Sequence, residues 1–495
     1  MNTCLKSFFD QQLRRHGKIL GLCLSGLILY SFLLGHRYVH FAYDDWDMAF
    51  TNQELWNLLQ GNTYSTLFGF HCFGSHAEFI NLVVLPIFAV FPSPLTFSFV
   101  QLGLFLASVF VLFLILKEDI GETPALLLSF SYMMFAPNLL AMCHDHNSEA
   151  LMPFFFLMAF RFFRNKNLTG FYISLLFLLL IKENMPLILI MFGLYGIISR
   201  DRNRWWWGGL PILVGSAYFL FLVKCLIPWF RGMQQHSLWI RFYHIGGSPR
   251  EIIFNLLNPV ALTKILLAPA NVQFLKQLFG AFLPFAILSP LVLGLVAPIL
   301  CYHLLSASLA EKSITYYYAL AMTPAIFLAS GHTLKKWVPR PPLRTGICLV
   351  LLLCSLGHLV ALKGEVFYKI GWGRQPLATS AAKWQLLKQV PPEAGVIATF
   401  EFLPALSLRK DLYSFHQVFD RAYQDPERLE KSEFYTGAVF TVPESVTYAV
   451  LDMKNPKLQH ALRQDHEFTQ GRLDLFFKDW TTIGQAGDVV LLKRR

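Results

Sequence analysis

The charges of this chain are sorted between the connections that separate its apolar runs. One set of connections is basic: Lys6, Arg14, Arg15 and Lys18; Arg161, Arg164 and Lys166; Arg200, Arg202 and Arg204; Lys335, Lys336, Arg340 and Arg344. The alternate set holds Asp44, Asp45, Asp47, His76, Glu78, His144, Asp145, His146 and Glu149. Short loops rich in Lys and Arg resist translocation across a bilayer. The basic set therefore stays in the cytoplasm, and the carboxylates and imidazoles collect on the opposite face, where an enzyme of the outer membrane surface keeps its chemistry.

Composition agrees with a membrane protein. Hydrophobic residues make up 55% of 495, charged residues 15%, and mean hydropathy is +0.45, beyond the range of ordinary soluble domains. The net charge of +11 sits mostly beside apolar runs, which argues for positive-inside sorting and against a nucleic-acid footprint. The eight cysteines show no CxxC spacing, so neither a zinc site nor a disulfide framework is implied. Cys72 and Cys143 both fall on the outer side and form the one candidate pair. The basic N-terminus and the apolar run Ile19–Leu34 are followed by His36, Arg37 and Tyr38 and not by a small-residue cleavage site, the pattern of an uncleaved signal anchor.

Hydropathy and length predict an α-helical polytopic membrane protein with about eleven spans, at 19–37, 95–116, 123–141, 150–164, 168–182, 185–200, 205–228, 273–289, 290–305, 316–334 and 344–363. Counting Phe79–Phe91 as a span would invert every later loop and turn Arg200–Arg204 outward. It is therefore read as an apolar helix lying at the outer interface, inside one long outer loop, 37–94, that also holds a helix near Asp47–Leu59. A second outer segment, Arg231–Gln277, carries Trp239, Arg241, Tyr243 and His244 and reads as surface helices with a turn at Gly246–Pro249. The membrane domain is 1–363. Residues 364–495 read as a small extracytoplasmic α/β domain, with strands at 395–400, 412–415, 447–451 and 489–493 and a helix at 403–408.

Three clusters can carry chemistry. Asp44, Asp45 and Asp47 lie within four residues, close enough to repel, and call for a cation, a donor or a raised pKa; the plain alternative is a solvated loop with Asp47 capping a helix. His76, with Glu78, and the run His144-Asp145-His146-Asn147-Ser148-Glu149 could hold a base and its orienting partner or a divalent cation, or simply be polar loop. Lys182-Glu183-Asn184 interrupts an apolar stretch; buried ionisable groups in such a stretch face a polar cavity or a partner, so the pair is either self-neutralising or presents Lys182 to a phosphate. The Tyr316-Tyr317-Tyr318 run reads as an interfacial aromatic belt. No phosphate-binding glycine loop, nucleophile elbow, HExxH or kinase signature occurs.

The sequence from Tyr43 through Asp47, Gln53 and Leu55-Trp56-Asn57, with Gly74, His76, Phe91-Pro92-Ser93-Pro94, His146, Glu149, Lys182-Glu183, Gly247-Ser248-Pro249 and Ser313-Ile314, resembles the bacterial membrane-protein family catalogued as domain of unknown function 2079. The resemblance covers about residues 40–450. Two positions depart from it: Asn52 stands where an Asp is expected beside the Gln, and Tyr317 where a His is expected. In layout the family is similar to the GT-C membrane glycosyltransferases. That resemblance implies transfer of a sugar from a polyprenyl-phosphate donor to an acceptor on the extracytoplasmic face of the bacterial inner membrane, with membrane lipid and the donor as partners and no nucleic acid. It implies catalytic roles for Asp47 as base, with Asp44, His76, His146 and Glu149; substrate contacts from Lys182, Glu183, Arg241, Tyr316 and Tyr318; and Asp145 with Glu149 as ligands if a divalent cation takes part. The rival readings are a transporter or lipid flippase and a non-catalytic scaffold for envelope assembly, which Asn52 and Tyr317 would permit.

Overall fold

The computed structural model describes residues 2–199, 203–232, 241–373, 375–415, 435–436, 439–440, 442–464 and 466–495. Arg200, Arg202 and Trp239 lie outside the described residues. Helix α1 (Asn2–Val39) leads into a short turn and α2 (Asp47–Leu59); α3 (Ile80–Val90) and α4 (Thr96–Ile120) follow. Gly121, at φ +89°, ends α4 in a backbone conformation that other residues rarely adopt.

Among the described residues four helices, or five, and not the expected eleven, are long and apolar enough to cross a membrane. His16–Val39, Thr96–Ile120, Trp205–Arg231 and Pro341–Ala361 are long and apolar enough to cross, and a fifth arises if the pair Glu122–Met133 and Ala136–Met142, bent by 48°, is one broken span. The other predicted segments are helical but short. Met152–Arg164, Leu168–Ile181 and Met185–Ser199 have 13, 14 and 15 residues, about 20–22 Å at 1.5 Å per residue, against a hydrocarbon core of about 30 Å. Residues 273–289 break into Pro269–Phe279, a single turn at Gly280–Phe282, and Leu283–Ile287. Apolar composition is the same in a lipid-facing helix and in one buried against other helices; the breaks at Pro137, Lys182 and Gly280 are what shorten these. Helix α4 is the hub: its crossing window is 61% buried against 22–28% for the other three, with Phe97, Phe105 and Leu112 fully enclosed.

The eleven-residue α3 is also too short to cross, and its Leu82, Val83, Ile87 and Val90 are exposed. Cys72 and Cys143 are buried and free, so the candidate disulfide does not form.

Strands β1 (Tyr64–Ser65) and β2 (Phe70–His71) form a small antiparallel pair in the first outer loop. Beyond Ala361 come helices Lys363–Ile370 and Leu377–Leu387, then β3 (Gly395–Ala398), β4 (Leu412–Ser414), a minor pair β5 (Tyr435–Thr436) and β6 (Val439–Phe440), β7 (Val446–Asp452), β8 (Trp480–Ala486) and β9 (Val489–Arg494). The main sheet has the order β4-β3-β7-β9-β8, parallel across its first three strands and antiparallel in the remainder. β3 is buried along its whole length, as the centre of a covered parallel sheet requires. The helix expected at 403–408 is instead two 3-10 turns, Phe400–Phe402 and Pro404–Leu406, and β8 has no counterpart in the sequence reading.

This sheet does not stand apart from the first outer loop. Phe41, Trp46, Phe50 and Leu67 share one apolar core with Phe400, Phe402, Leu403, Leu406 and Leu412. Thr66 Oγ1 accepts from the Leu412 N–H at 3.0 Å, and the Gln53 amide donates to the Lys410 carbonyl at 2.9 Å. Helix α2 is thereby held between the membrane helices and the sheet. Phe402 is fully buried and meets the Phe41 ring at 5.2 Å. Phe402→Ala should cost about 3–5 kcal/mol, lowering the melting temperature of the detergent-solubilised protein and exposing the C-terminal region to limited proteolysis. Unchanged melting and protease resistance would show that this core does not hold the sheet.

Candidate active site

The site is built where four chain breaks meet: the turn from α1 to α2, the loop after Met142, the break between Leu168–Ile181 and Met185–Ser199, and the 3-10 turn Tyr317–Met322. At the first break Phe41 takes φ +52°, an uncommon conformation for a bulky residue, and the Ala42 carbonyl turns back to accept from Arg37 Nε at 2.9 Å. The Arg37 guanidinium then reaches Asp145 at 2.5 Å and lies over the Tyr43 ring, 4.3 Å from its centroid. The side chains of Arg37 and Asp145 are 2% and 0% exposed, so this is a fully buried ion pair.

At the third break Lys182 leaves the helix with extended backbone, φ −165° and ψ 161°. It does not pair with its neighbour Glu183. Lys182 Nζ lies 3.3 Å from Glu149 Oε1, which also accepts from the Asn184 amide at 2.9 Å. Glu183 instead meets His76 Nδ1 at 2.7 Å. Arg241 is ion-paired with the buried Glu311 and lies 3.4 Å from the Tyr302 hydroxyl. These groups line one cavity of about 240 Å³, together with Leu187, Phe219, Val223 and Phe242. Of the residues expected at a site, His76, Glu149, Lys182, Glu183, Arg241 and Tyr318 are brought together here. Asn184, Tyr302, His303 and Glu311 line it as well, none of them assigned a site role from the sequence. Glu311 was visible as a carboxylate on the outer side, whereas Tyr302 and His303 sat inside an apolar run.

Asp47 and His146 do not line that cavity. His146 is buried against Ser98, 3.0 Å from its Oγ, and stacks near Phe97 at 4.7 Å. Burial pushes its pKa down to about 3, so it is a neutral imidazole. Asp44, Asp45 and Asp47 form a separate acidic cluster, or crevice, within electrostatic reach of Asp145 and Lys182. Burial, then the charge of Asp145, raises Asp45 to about 6. Burial, with Asp45 and Asp145 beside it, raises Asp47 well above the carboxylate range, while Lys182 draws it down. That opposing influence ties the crevice to the cavity, and Tyr317 and Tyr318 stand within reach of Asp47. The tyrosine run is not an interfacial belt: Tyr317 is 5% exposed and packs on His144 and Tyr318, and Tyr316 lies beside His144. Lys369 closes the crevice, 3.0 Å from His144 Nδ1 and 3.9 Å from Asp44.

Asp145 and Glu149, the expected metal ligands, face Arg37 and Lys182 respectively. Among the described residues no three His, Cys, Asp or Glu side chains are placed to hold one ion. Asn52, at the departure from the family pattern, donates to the Pro94 carbonyl at 3.0 Å and serves the loop fold.

The structure is similar to ArnT from Cupriavidus metallidurans bound to undecaprenyl phosphate, with TM-score 0.52, 11% identity, and coverage of 94% of this chain and 97% of that one. The apo state of the same protein gives TM-score 0.51 at 11% identity, with the same coverage. An oligosaccharyltransferase from Archaeoglobus fulgidus, in complex with Zn and sulfate, gives TM-score 0.37 at 11% identity over 90% of this chain and 67% of that one. No curated protein sequence matches the chain. The chain belongs to the family described as predicted membrane protein (DUF2079), which it matches over residues 37–434.

Removing one partner of a buried ion pair strands the other, at a cost of about 3–5 kcal/mol. Arg37→Met should therefore strongly lower the melting temperature, and Arg37→Met/Asp145→Asn should recover much of it. Equal loss in the single and double variants would show that the two charges do not support each other.

Proposed function

We propose that this protein is a membrane glycosyltransferase that takes a sugar from a polyprenyl-phosphate-linked donor on the extracytoplasmic face of the bacterial inner membrane. The observation that carries the reading is the cavity lined by Lys182 and Arg241 together with apolar Leu187, Phe219, Val223 and Phe242. A phosphate joined to a long hydrocarbon needs such a pairing of cation and apolar surface. The fold shared with ArnT, one of whose structures is bound to undecaprenyl phosphate, supports it. The N-terminus is cytoplasmic in this reading, and residues 364–495 form a domain on the outer side.

The acceptor hydroxyl attacks the anomeric carbon of the donor sugar, and polyprenyl phosphate leaves. Lys182 and Arg241 stabilise the charge that develops on the phosphate, as preorganised cations do in a water-poor site. Glu149 and Glu311 hold those cations in place before the donor arrives. Asp45 and Asp47 act as a coupled pair that accepts the acceptor's proton, their ionisations belonging to the pair. Burial raises both carboxyls above the ordinary carboxylate range, which brings the pair toward the working pH of a general base.

Purified protein should release polyprenyl phosphate from labelled lipid-linked sugars. Asp47→Asn should lower kcat by about 10²–10⁴-fold while melting temperature stays within a degree or two. A variant with unimpaired turnover would remove Asp47 from the chemistry, and no release from any polyprenyl-linked sugar would remove the function.

The pH profile should show the same pair. Asp45 is raised from 3.8 to about 6, so kcat/KM should fall as pH drops below about 6. The sign for stability is opposite: a carboxyl that holds its proton more tightly when folded contributes stability at low pH, and that contribution is lost as pH rises through 4 to 6. A flat profile across this window would contradict the assignment. Topology is tested by a cysteine placed at Pro94, which should react with an impermeant thiol reagent from outside; protection there with labelling at Lys117 would invert the orientation.

A further inference from the structure

The C-terminal sheet sends one cation into the acidic crevice. Lys457, at the start of the helix Pro456–Gln464, donates from Nζ to the Asp44 carbonyl at 2.7 Å and lies over the Phe400 ring at 4.1 Å from its centroid. Phe400 is fully buried and faces Trp46, the residue whose N–H is accepted by Asp45 Oδ1 at 2.9 Å. The Lys457 ammonium is thus fixed between an aromatic face and a backbone carbonyl of the aspartate run.

We propose that Lys457 is a positioning residue for the Asp45–Asp47 pair, so that the transfer site is complete only when the C-terminal domain is docked on the first outer loop. This rests on the glycosyltransferase reading of the crevice. The charge balance there is uneven. Asp45 has Asp44 and Asp47 on its own segment and Asp145 on the loop after Met142. Against these stand Lys457 from the sheet and Lys369 from the helix Lys363–Ile370, while Arg37 is held by Asp145. Lys457 also faces Glu401, and Tyr316 faces the aspartates from the 3-10 turn. Lys457 is the cation that most lowers Asp45, and Lys369 also faces it. Without Lys457, Asp45 would hold its proton to a higher pH.

The test compares Lys457→Met, which removes charge and hydrogen bond; Lys457→Gln, whose amide can still donate to the Asp44 carbonyl; and Lys457→Arg, which keeps both. With a polyprenyl-linked sugar as donor, the acid limb of kcat/KM should move upward by about one pH unit in the Met and Gln variants, with donor KM changed less than twofold, and should return in Lys457→Arg. An unmoved limb in the Gln variant would overturn the proposal, as would an equal loss at all pH values that follows a lowered melting temperature. The same shift is readable without turnover, as the pH midpoint of the carboxyl infrared band that Asp45→Asn removes. If wild-type protein shows no transfer, the functional reading fails on its own account, and an unmoved infrared midpoint in Lys457→Gln separately overturns the role of Lys457.

Discussion

Arg37 and Asp145 meet at the end of the first helix with almost no exposure to solvent, and the surrounding architecture is arranged around that contact. A charge placed there alone would be expelled or neutralised; as a pair with a further carbonyl on Arg37 Nε and an aromatic face beneath it, it is kept. It ties the first helix to the loop after Met142 and thereby brings the aspartate run near the histidine–glutamate run. The same rule repeats around the cavity. Lys182 has Glu149, Arg241 has Glu311, and His76 has Glu183. Each of these pairs joins two segments distant in the sequence.

This pairing explains why the site is divided. Cations that would face a phosphate lie in the cavity with the apolar wall, whereas carboxylates that would accept a proton lie in the crevice beside it. Lys182 acts on both, being at once a wall of the cavity and the cation that draws Asp47 down. The sheet then supports the crevice from outside through the shared core of Phe41, Trp46, Phe400 and Phe402.

Part of this was legible in the sequence for plain reasons. Sorted charges, an 11-residue helix at Ile80–Val90 and the helix Asp47–Leu59 follow from local pattern, and so does the gathering of His76, Glu149, Lys182, Glu183 and Arg241 on one side. Local pattern could not reveal tertiary partners. The Lys182-Glu183 adjacency suggested a mutual pair, but consecutive residues point apart, and each found a partner more than 30 positions away. His146 looked like site chemistry and is a buried packing residue on Ser98 and Phe97. Eleven apolar segments looked like spans because hydropathy does not separate lipid-facing helices from enclosed ones. Lys457 was invisible, since its role depends on where a separate sheet docks.

The central claim is that the cavity between Lys182, Arg241 and the Leu187–Phe219–Val223 wall receives the phosphate of a polyprenyl lipid. The most direct measurement is a structure of the protein in nanodiscs with a polyprenyl phosphate. The account predicts phosphate density within hydrogen-bond distance of Lys182 and Arg241, with the hydrocarbon leaving along the apolar wall. Lipid density that passes from one leaflet to the other through the protein, or phosphate bound away from both cations, would contradict it.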